Sequence, residues 1–183
     1  MARRLALAFE RFDQAELRFC RYLNRSSGSA AVRQVFRAVS WLGDGWFWYA
    51  LLLGLPMIYG HHGLVVAIQM ALTGAVGVLV YKGIKTRAVR ERPYITHSAI
   101  QAASVPLDRY SFPSGHTLHA ISFTLLLAGY FPEWTAALAT FALLVALSRV
   151  ILGLHYPTDV AAGALLGGGL GMSSLELGQR FLA

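Results

Sequence analysis

The chain has 183 residues, enough for one domain, and 56% of them are hydrophobic whereas only 14% are charged. Soluble domains usually contain about 25% charged residues, so this composition favours a membrane-embedded protein over a very apolar soluble helical bundle. The formal net charge of +7 fits an anionic lipid surface or a phosphate-bearing substrate better than nucleic acid, because the Lys and Arg residues flank apolar segments.

Residues 1–40 contain eight of the sixteen Lys and Arg residues. Apolar side chains such as Phe12, Leu17 and Leu23 recur between them at roughly helical spacing, which predicts amphipathic helices lying in the membrane interface. Residues 24–28 are rich in Asn, Ser and Gly and predict a break between two such helices. The alternative is a frayed polar tail.

Four segments without Asp, Glu, Lys or Arg follow, at 45–81, 110–132, 134–148 and 160–175. A helix that crosses a bilayer needs about 20 apolar residues, or about 17 at the short end, and the first segment can hold two helices joined by a turn at 60–63. We therefore predict an all-α integral membrane bundle over residues 45–177. Its five transmembrane helices are expected at about 45–60, 64–81, 116–131, 134–152 and 158–177. With the interfacial helices of 1–40, the bundle forms a single domain, 1–183.

The fifth predicted helix carries a packing pattern. Gly163, Gly167 and Gly171 repeat at every fourth position, and small residues at this spacing let another membrane helix approach closely. No strand is expected before the glycine-rich run, so we interpret it as a helix-packing surface rather than a nucleotide-binding loop.

If five helices cross in succession, the connecting segments alternate between the two membrane faces. One face receives residues 1–44, the loop 82–115 and the loop 153–157, and nearly every ionisable residue able to do chemistry lies there. We call this the working face, and its side chains are the candidates for a functional site.

Three short clusters lie on the working face. They are Lys85-Thr-Arg-Ala-Val-Arg-Glu-Arg92-Pro93, then Pro113-Ser114-Gly115-His116, and then Ser148-Arg149 followed by His155 and Asp159. Each cluster alone has an ordinary explanation: a lipid-headgroup anchor, a helix start or an arginine that snorkels to the interface. Together they supply cations, helix-terminal amides, two histidines and a carboxylate, which is an inventory for phosphoryl transfer.

The cations and amides suit a phosphate. A transferred phosphoryl group spreads its charge over three oxygens, so catalysis depends mainly on positioning and electrostatic stabilisation. Arg92 and Arg149 can each bind two oxygens, and Lys85 adds a compact charge. Ser114 is the expected N-cap of the third membrane helix, and the free amides near Gly115 would then point at the anion.

The histidines suit the chemistry itself. His155 is the candidate nucleophile, because a neutral imidazole can attack phosphorus. Asp159, four residues later, is expected to hydrogen-bond one ring nitrogen and leave the other as a lone pair. His116 is the remaining candidate for the acid that protonates the leaving group and for the base that activates water. Asp108, in the loop between the first two clusters, either shapes the entrance or is solvated.

The patterns Lys-x6-Arg-Pro, Pro-Ser-Gly-His and Ser-Arg-x5-His-x3-Asp, in this order, resemble the three-part signature of the type 2 phosphatidic acid phosphatase superfamily. All three match without a substitution, over residues 85–159. The resemblance implies a helical membrane bundle, with His155 as nucleophile, His116 as acid and Asp159 as the partner of His155. It implies phosphate binding by Lys85, Arg92, Ser114, Gly115 and Arg149. The family's membrane phosphatases work without a metal, so neither a cofactor nor a metal site is expected.

The resemblance predicts a metal-independent lipid phosphate phosphatase that forms a phosphohistidine. Undecaprenyl diphosphate is the first substrate to consider, followed by phosphatidic acid and phosphatidylglycerophosphate. Two alternatives stay open. One is a phosphotransferase that passes the phosphate from the same histidine to an acceptor, and the other is a non-catalytic lipid-binding or transport protein.

The distribution of basic residues and the family resemblance favour opposite membrane orientations. On the five-helix topology, 15 of the 16 Lys and Arg residues lie on the working face and only Arg180 lies opposite; the positive-inside rule would place that face in the cytoplasm. Six of those residues lie in or near the catalytic motifs, however, and the family resemblance favours an extracytoplasmic site in a bacterial plasma membrane. We expect the extracytoplasmic orientation.

Overall fold

The computed structural model describes residues 2–106 and 108–181, with the backbone alone for residues 2–10. The predicted domain 1–183 is therefore described except for Met1, Leu107, Leu182 and Ala183. The elements in chain order are α1 (Ala2–Arg25), a 3-10 turn (Ser26–Gly28), α2 (Ala30–Trp41), a π-helical turn (Leu42–Trp46), α3 (Phe47–Ala88), α4 (Pro93–Thr96), α5 (Gly115–Tyr130), a 3-10 turn (Pro132–Trp134), α6 (Thr135–Ile151) and α7 (Pro157–Phe181). Within these described ranges the chain is nearly all helical and has no strand, as predicted.

Helix α3 reverses sharply at Gly60. Its φ of 58° and ψ of −133° form a combination that residues with a side chain rarely adopt. The reversal returns the second half of α3 to the first half, since a Cβ added to Gly63 would lie 2.0 Å from the carbonyl oxygen of Leu55. The turn predicted at 60–63 is therefore present, and it divides α3 into two arms.

Among the described residues, three helical segments are long and apolar enough to cross a membrane, namely Ala30–Ala88, Pro132–Ile151 and Pro157–Phe181. The first segment contains both arms of α3, for which the sequence predicts two crossings. Helix α5 has 16 residues, fewer than the roughly 20 of a typical crossing, although the sequence predicts a crossing there. The helical membrane architecture is thus supported, whereas the count of five crossings stays a prediction.

Helix α5 packs against α3, α6 and α7 at the centre of the bundle. Met70 of α3, Leu127 of α5 and Val145 of α6 are fully buried in the main apolar core that these helices share. Large apolar side chains on the outside of the bundle remain exposed, as expected of a lipid-facing surface; they include Leu53, Met57, Leu79 and Leu165.

Three glycines of α7 pack closely against α5. Cβ atoms added to Gly163, Gly167 and Gly171 would lie 2.5, 2.3 and 2.7 Å from carbonyl oxygens of the residues 114, 118 and 122. The glycine pattern is therefore the helix-packing surface that the sequence predicts. This close contact holds the start of α7 beside the start of α5, where the candidate site lies.

Candidate active site

A cavity of about 410 Å³ lies where the end of α3, the start of α5 and the end of α6 meet. Six of the eight predicted site residues line it, namely Lys85, Arg92, Gly115, His116, Arg149 and His155. Ser114 and Asp159 are not part of its lining. The structure therefore brings the three sequence clusters together around one space.

Three of the cations that the structure describes are buried at the polar end of the cavity. Lys85, Arg92 and Arg149 are only 8%, 2% and 3% exposed. Within the part of the chain that the structure describes, the buried Nε of Arg149 has no hydrogen-bond partner. Like charges repel one another strongly in a low-dielectric interior, so this arrangement favours an anion between the cations.

Asp108 supplies negative charge to two of the cations. Its Oδ2 lies 2.7 Å from Lys85 Nζ and its Oδ1 lies 2.8 Å from an Arg92 guanidinium nitrogen. Burial alone would raise the pKa of Asp108, but the hydrogen bonds and charges of Lys85 and Arg92 outweigh it and place the pKa below its usual value. The carboxylate is therefore ionised at neutral pH, and it pairs with two of the three buried cations.

His155 lies in the loop between α6 and α7 and is 1% exposed. Its Nε2 lies 3.2 Å from an Arg92 nitrogen. Arginine can only donate, so Nε2 accepts and carries a lone pair, and the proton resides on Nδ1. Burial, followed by the charges of Arg149, Arg92 and Lys85, lowers the pKa of His155 well below its usual value of 6.5. The ring is thus neutral at pH 7, and its Nε2 electron pair accepts from Arg92 at the cavity wall.

Asp159 lies behind His155, in the first turn of α7. Its Oδ2 is 3.7 Å from His155 Nδ1, beyond hydrogen-bond length, and instead accepts a 2.8 Å hydrogen bond from the amide of Tyr156. The hydrogen bond predicted between Asp159 and His155 is therefore not formed, because the amide of Tyr156 holds one carboxylate oxygen and Arg90 holds the other. Its charge is still near enough to stabilise a positive imidazole ring.

The start of α5 carries the second histidine. Ser114 is the N-cap, as predicted, and its hydroxyl accepts a hydrogen bond from the amide of Thr117. Next to this cap, Gly115 lies at the cavity wall. His116 Nε2 lies 3.2 Å from Asp44 Oδ1, so a carboxylate from the turn before α3 holds the second histidine ring.

Four charged residues around the site were not predicted to act there. Asp44 has the clearest signal, because it lies between two glycines just before a membrane helix. For Asp108 the sequence predicts a place at the entrance or in solvent and not a contact with the cations, and it gives no signal for Arg90 or Glu16. Among the described residues, no group of three or more His, Cys, Asp or Glu side chains is arranged to hold a metal ion.

The fold is similar to that of a solved structure described as the first transmembrane PAP2 type phosphatidylglycerolphosphate phosphatase from Bacillus subtilis. The TM-score is 0.76 at 22% identity, and the match covers 93% of this chain and 87% of that one. At this level of identity, the likeness supports the fold.

Two curated relatives match in sequence. The decaprenylphosphoryl-5-phosphoribose phosphatase of Mycobacterium tuberculosis is 33% identical over 143 residues, which are 74% of each chain. The undecaprenyl-diphosphatase of Sulfolobus acidocaldarius is 41% identical over 73 residues, which are 39% of this chain and 35% of that protein. Matches to three curated relatives, including the Sulfolobus protein, span only 27 to 35% of those proteins' length.

A family model settles the classification. The model of the PAP2 superfamily matches residues 62–181, which include all three clusters and most of the bundle. The chain therefore belongs to the PAP2 superfamily, which confirms the family resemblance of its three motifs.

Proposed function

We propose that this chain is a membrane-embedded phosphatase that hydrolyses the terminal phosphate of a membrane lipid, without a metal, through a phosphohistidine at His155. The observation that carries the proposal is the single cavity that joins the lone pair of His155 to three buried cations. The names of the relatives agree with it, since both curated relatives described above are named as phosphatases or diphosphatases of lipid-linked phosphates.

The phosphate binds at the polar end of the cavity. Its oxygens replace the carboxylate of Asp108 at Lys85 and Arg92, and they also reach the unpaired Nε of Arg149. The amides at the start of α5 add partial positive charge. The positive charge that this chemistry requires is thus supplied by side chains and backbone.

The first step transfers the phosphoryl group to the protein. The lone pair of His155 Nε2 attacks phosphorus, a P–N bond forms, and the P–O bond to the lipid breaks. His116, held by Asp44, donates a proton to the departing oxygen. The imidazole ring of His155 becomes positive, and the carboxylate of Asp159, 3.7 Å from its Nδ1, stabilises that charge.

The second step releases the phosphate. His116, now neutral, takes a proton from a water molecule as the water oxygen attacks phosphorus. The P–N bond breaks, its electron pair returns to Nε2, and inorganic phosphate leaves. His155 is then neutral again and His116 is protonated again, so the cycle closes without any other reagent.

The rest of the cavity favours a lipid substrate. Beyond the cations, its walls are formed by apolar side chains of α3 and α5, including Trp48, Leu52, Met70, Val78 and Phe123. A polar end joined to an apolar channel fits a phosphate with an attached hydrocarbon chain. We propose a polyprenyl phosphate or diphosphate, with undecaprenyl diphosphate first, because both curated relatives described above are named for polyprenyl-linked substrates.

The test is phosphate release from a panel of lipids by the purified protein in detergent micelles. The panel contains undecaprenyl diphosphate, phosphatidic acid and phosphatidylglycerophosphate, and the variants are His155→Ala and His61→Ala. His61 is an exposed histidine at the turn in α3, so its replacement controls for the loss of an imidazole elsewhere.

We expect release by the wild type and by His61→Ala, and a loss on the order of 10³-fold or more in His155→Ala. Near-normal activity of folded His155→Ala would overturn the mechanism. Release of phosphate only when an alcohol acceptor is withheld, with transfer when it is present, would indicate a phosphotransferase. Binding of lipid without any release would indicate a non-catalytic protein.

A further inference from the structure

The carboxylate of Asp159 is completely buried, and its main charge partner is not a histidine. Its Oδ1 lies 2.7 Å from a guanidinium nitrogen of Arg90, and the same nitrogen donates to the hydroxyl of Thr158 at 2.7 Å. Its other oxygen, Oδ2, faces the amide of Tyr156 and the ring of His155. Arg90 therefore fixes the oxygen of Asp159 that points away from the nucleophile.

The other end of Arg90 is held by the N-terminal helix. Its second guanidinium nitrogen lies 2.8 Å from Glu16 Oε2, and Glu16 is a buried residue of α1. The remaining oxygen, Glu16 Oε1, accepts a 2.8 Å hydrogen bond from the amide of Thr158 and another from its hydroxyl. Glu16 thus binds the first turn of α7 and Arg90 at once.

Arg90 has the chemistry and the position of a bridge rather than of a phosphate ligand. It is not part of the cavity lining, although Lys85 and Arg92 on either side of it are. Its guanidinium group lies 3.9 Å from the centre of the Tyr156 ring, which restricts its orientation. A planar guanidinium can pair with two carboxylates at fixed angles, which the single ammonium of a lysine cannot do in the same way.

We propose that Arg90 and Glu16 are positioning residues for the reaction: Glu16 of α1 holds Arg90, and Arg90 holds Asp159 against His155. The N-terminal helix, whose contact with this site the sequence did not predict, thereby helps to position Asp159 beside His155. The inference rests on the proposed function, because it concerns the step in which His155 becomes positively charged.

The test is a steady-state analysis of Arg90→Ala, Arg90→Lys and Glu16→Gln beside the wild type. Arg109→Ala is the matched control, because Arg109 is an exposed arginine of the same loop that pairs with Glu91 at 2.7 Å. Each protein is assayed for kcat and KM with the lipid that the wild type hydrolyses, for inhibition by inorganic phosphate, and for thermal unfolding.

We expect Arg90→Ala to lower kcat by about 10- to 100-fold. This is the range for removal of a group that orients a metal ligand, and Arg90 orients Asp159 in a similar way. KM and the inhibition constant of phosphate should change less than about threefold, because the anion-binding cations are untouched. Arg90→Lys should recover part of kcat, since it restores one of the two ion pairs. Glu16→Gln should lower kcat in the same direction but by less, because it weakens the hold on Arg90 without removing the charge beside Asp159.

Two results would overturn the inference. In the first, Arg90→Ala and Glu16→Gln have the same kcat as Arg109→Ala. In the second, the variants have a raised KM and weaker inhibition by phosphate, with kcat unchanged. If Arg90→Ala does not fold, Glu16→Gln and Arg90→Lys decide the question by the same criteria. Failure of the proposed function is seen separately, as an inactive wild type or as an active His155→Ala.

Discussion

The contact between α5 and α7 makes a quantitative prediction about two neighbouring glycines. A Cβ added to Gly167 would lie 2.3 Å from the carbonyl oxygen of Leu118, whereas real Cβ contacts are essentially never below 3.0 Å. The two helices would therefore have to separate by about 0.7 Å. Gly168 is the ideal control, because a Cβ added there meets nothing within 4 Å.

Both substitutions to alanine gain about the same helix propensity, roughly 1 kcal/mol. The difference between the variants therefore isolates the clash, and overpacking of this kind costs about 1–3 kcal/mol. We expect Gly167→Ala to be less stable than Gly168→Ala by this amount. For a domain of this size, about 2–4 °C of Tm corresponds to each kcal/mol, so the Tm values should differ by several degrees.

The measurement is thermal unfolding of the two purified variants in the same detergent, followed by circular dichroism at equal protein concentration. Equal Tm values, within about 1 °C, would contradict this expectation. They would mean that α7 does not approach α5 as closely as the glycines indicate, and that the start of α7 is held beside the phosphate site by other contacts.

Three further predictions concern the site and its orientation. Since the pKa of His155 lies well below 6.5, the nucleophile stays neutral through pH 6.5, so kcat/KM should begin to fall only at lower pH; an acid limb centred at or above pH 6.5 would contradict this. Asp108→Asn should make inorganic phosphate a stronger inhibitor, by several fold, because an anionic competitor leaves the two cations; weaker inhibition would show that Asp108 organises the cations instead. Ser98→Cys, in an exposed part of the loop and with Cys20 replaced, should react with an impermeant thiol reagent in intact cells, whereas labelling only after lysis would place the working face in the cytoplasm.

The motifs predicted the polar end of the cavity well, for a physical reason. The residues able to bind phosphate lie in short clusters at the ends of charge-free helices. If the clusters act together, the ends of those helices must meet. Lys85, Arg149 and His155 do line one cavity. The glycine spacing likewise predicted the close contact of α7, because glycine at every fourth position has few other uses in a membrane helix.

The roles of Glu16 and Arg90 depend on tertiary contacts, which the spacing of residues along the sequence does not reveal. Glu16 reaches Thr158 across most of the chain, and this contact depends on how α1 lies against the bundle. Arg90 follows Val89, whose φ of 42° ends α3 in the left-handed region, a conformation rare for a β-branched residue and therefore not predicted. The five predicted membrane crossings stay a prediction for a similar reason, because α5 has only 16 residues and composition alone does not say whether a helix of that length crosses.

The phosphohistidine at His155 can be tested by trapping the phosphorylated protein. The wild type is mixed with lipid labelled in its terminal phosphate, quenched with alkali within one turnover, and digested to locate the label. We expect a label that is stable to alkali and labile to acid, attached to the peptide that contains His155 and missing in His155→Ala. A wild type that turns over rapidly but carries the label on another residue, or carries no label at any time before the first turnover ends, would contradict it.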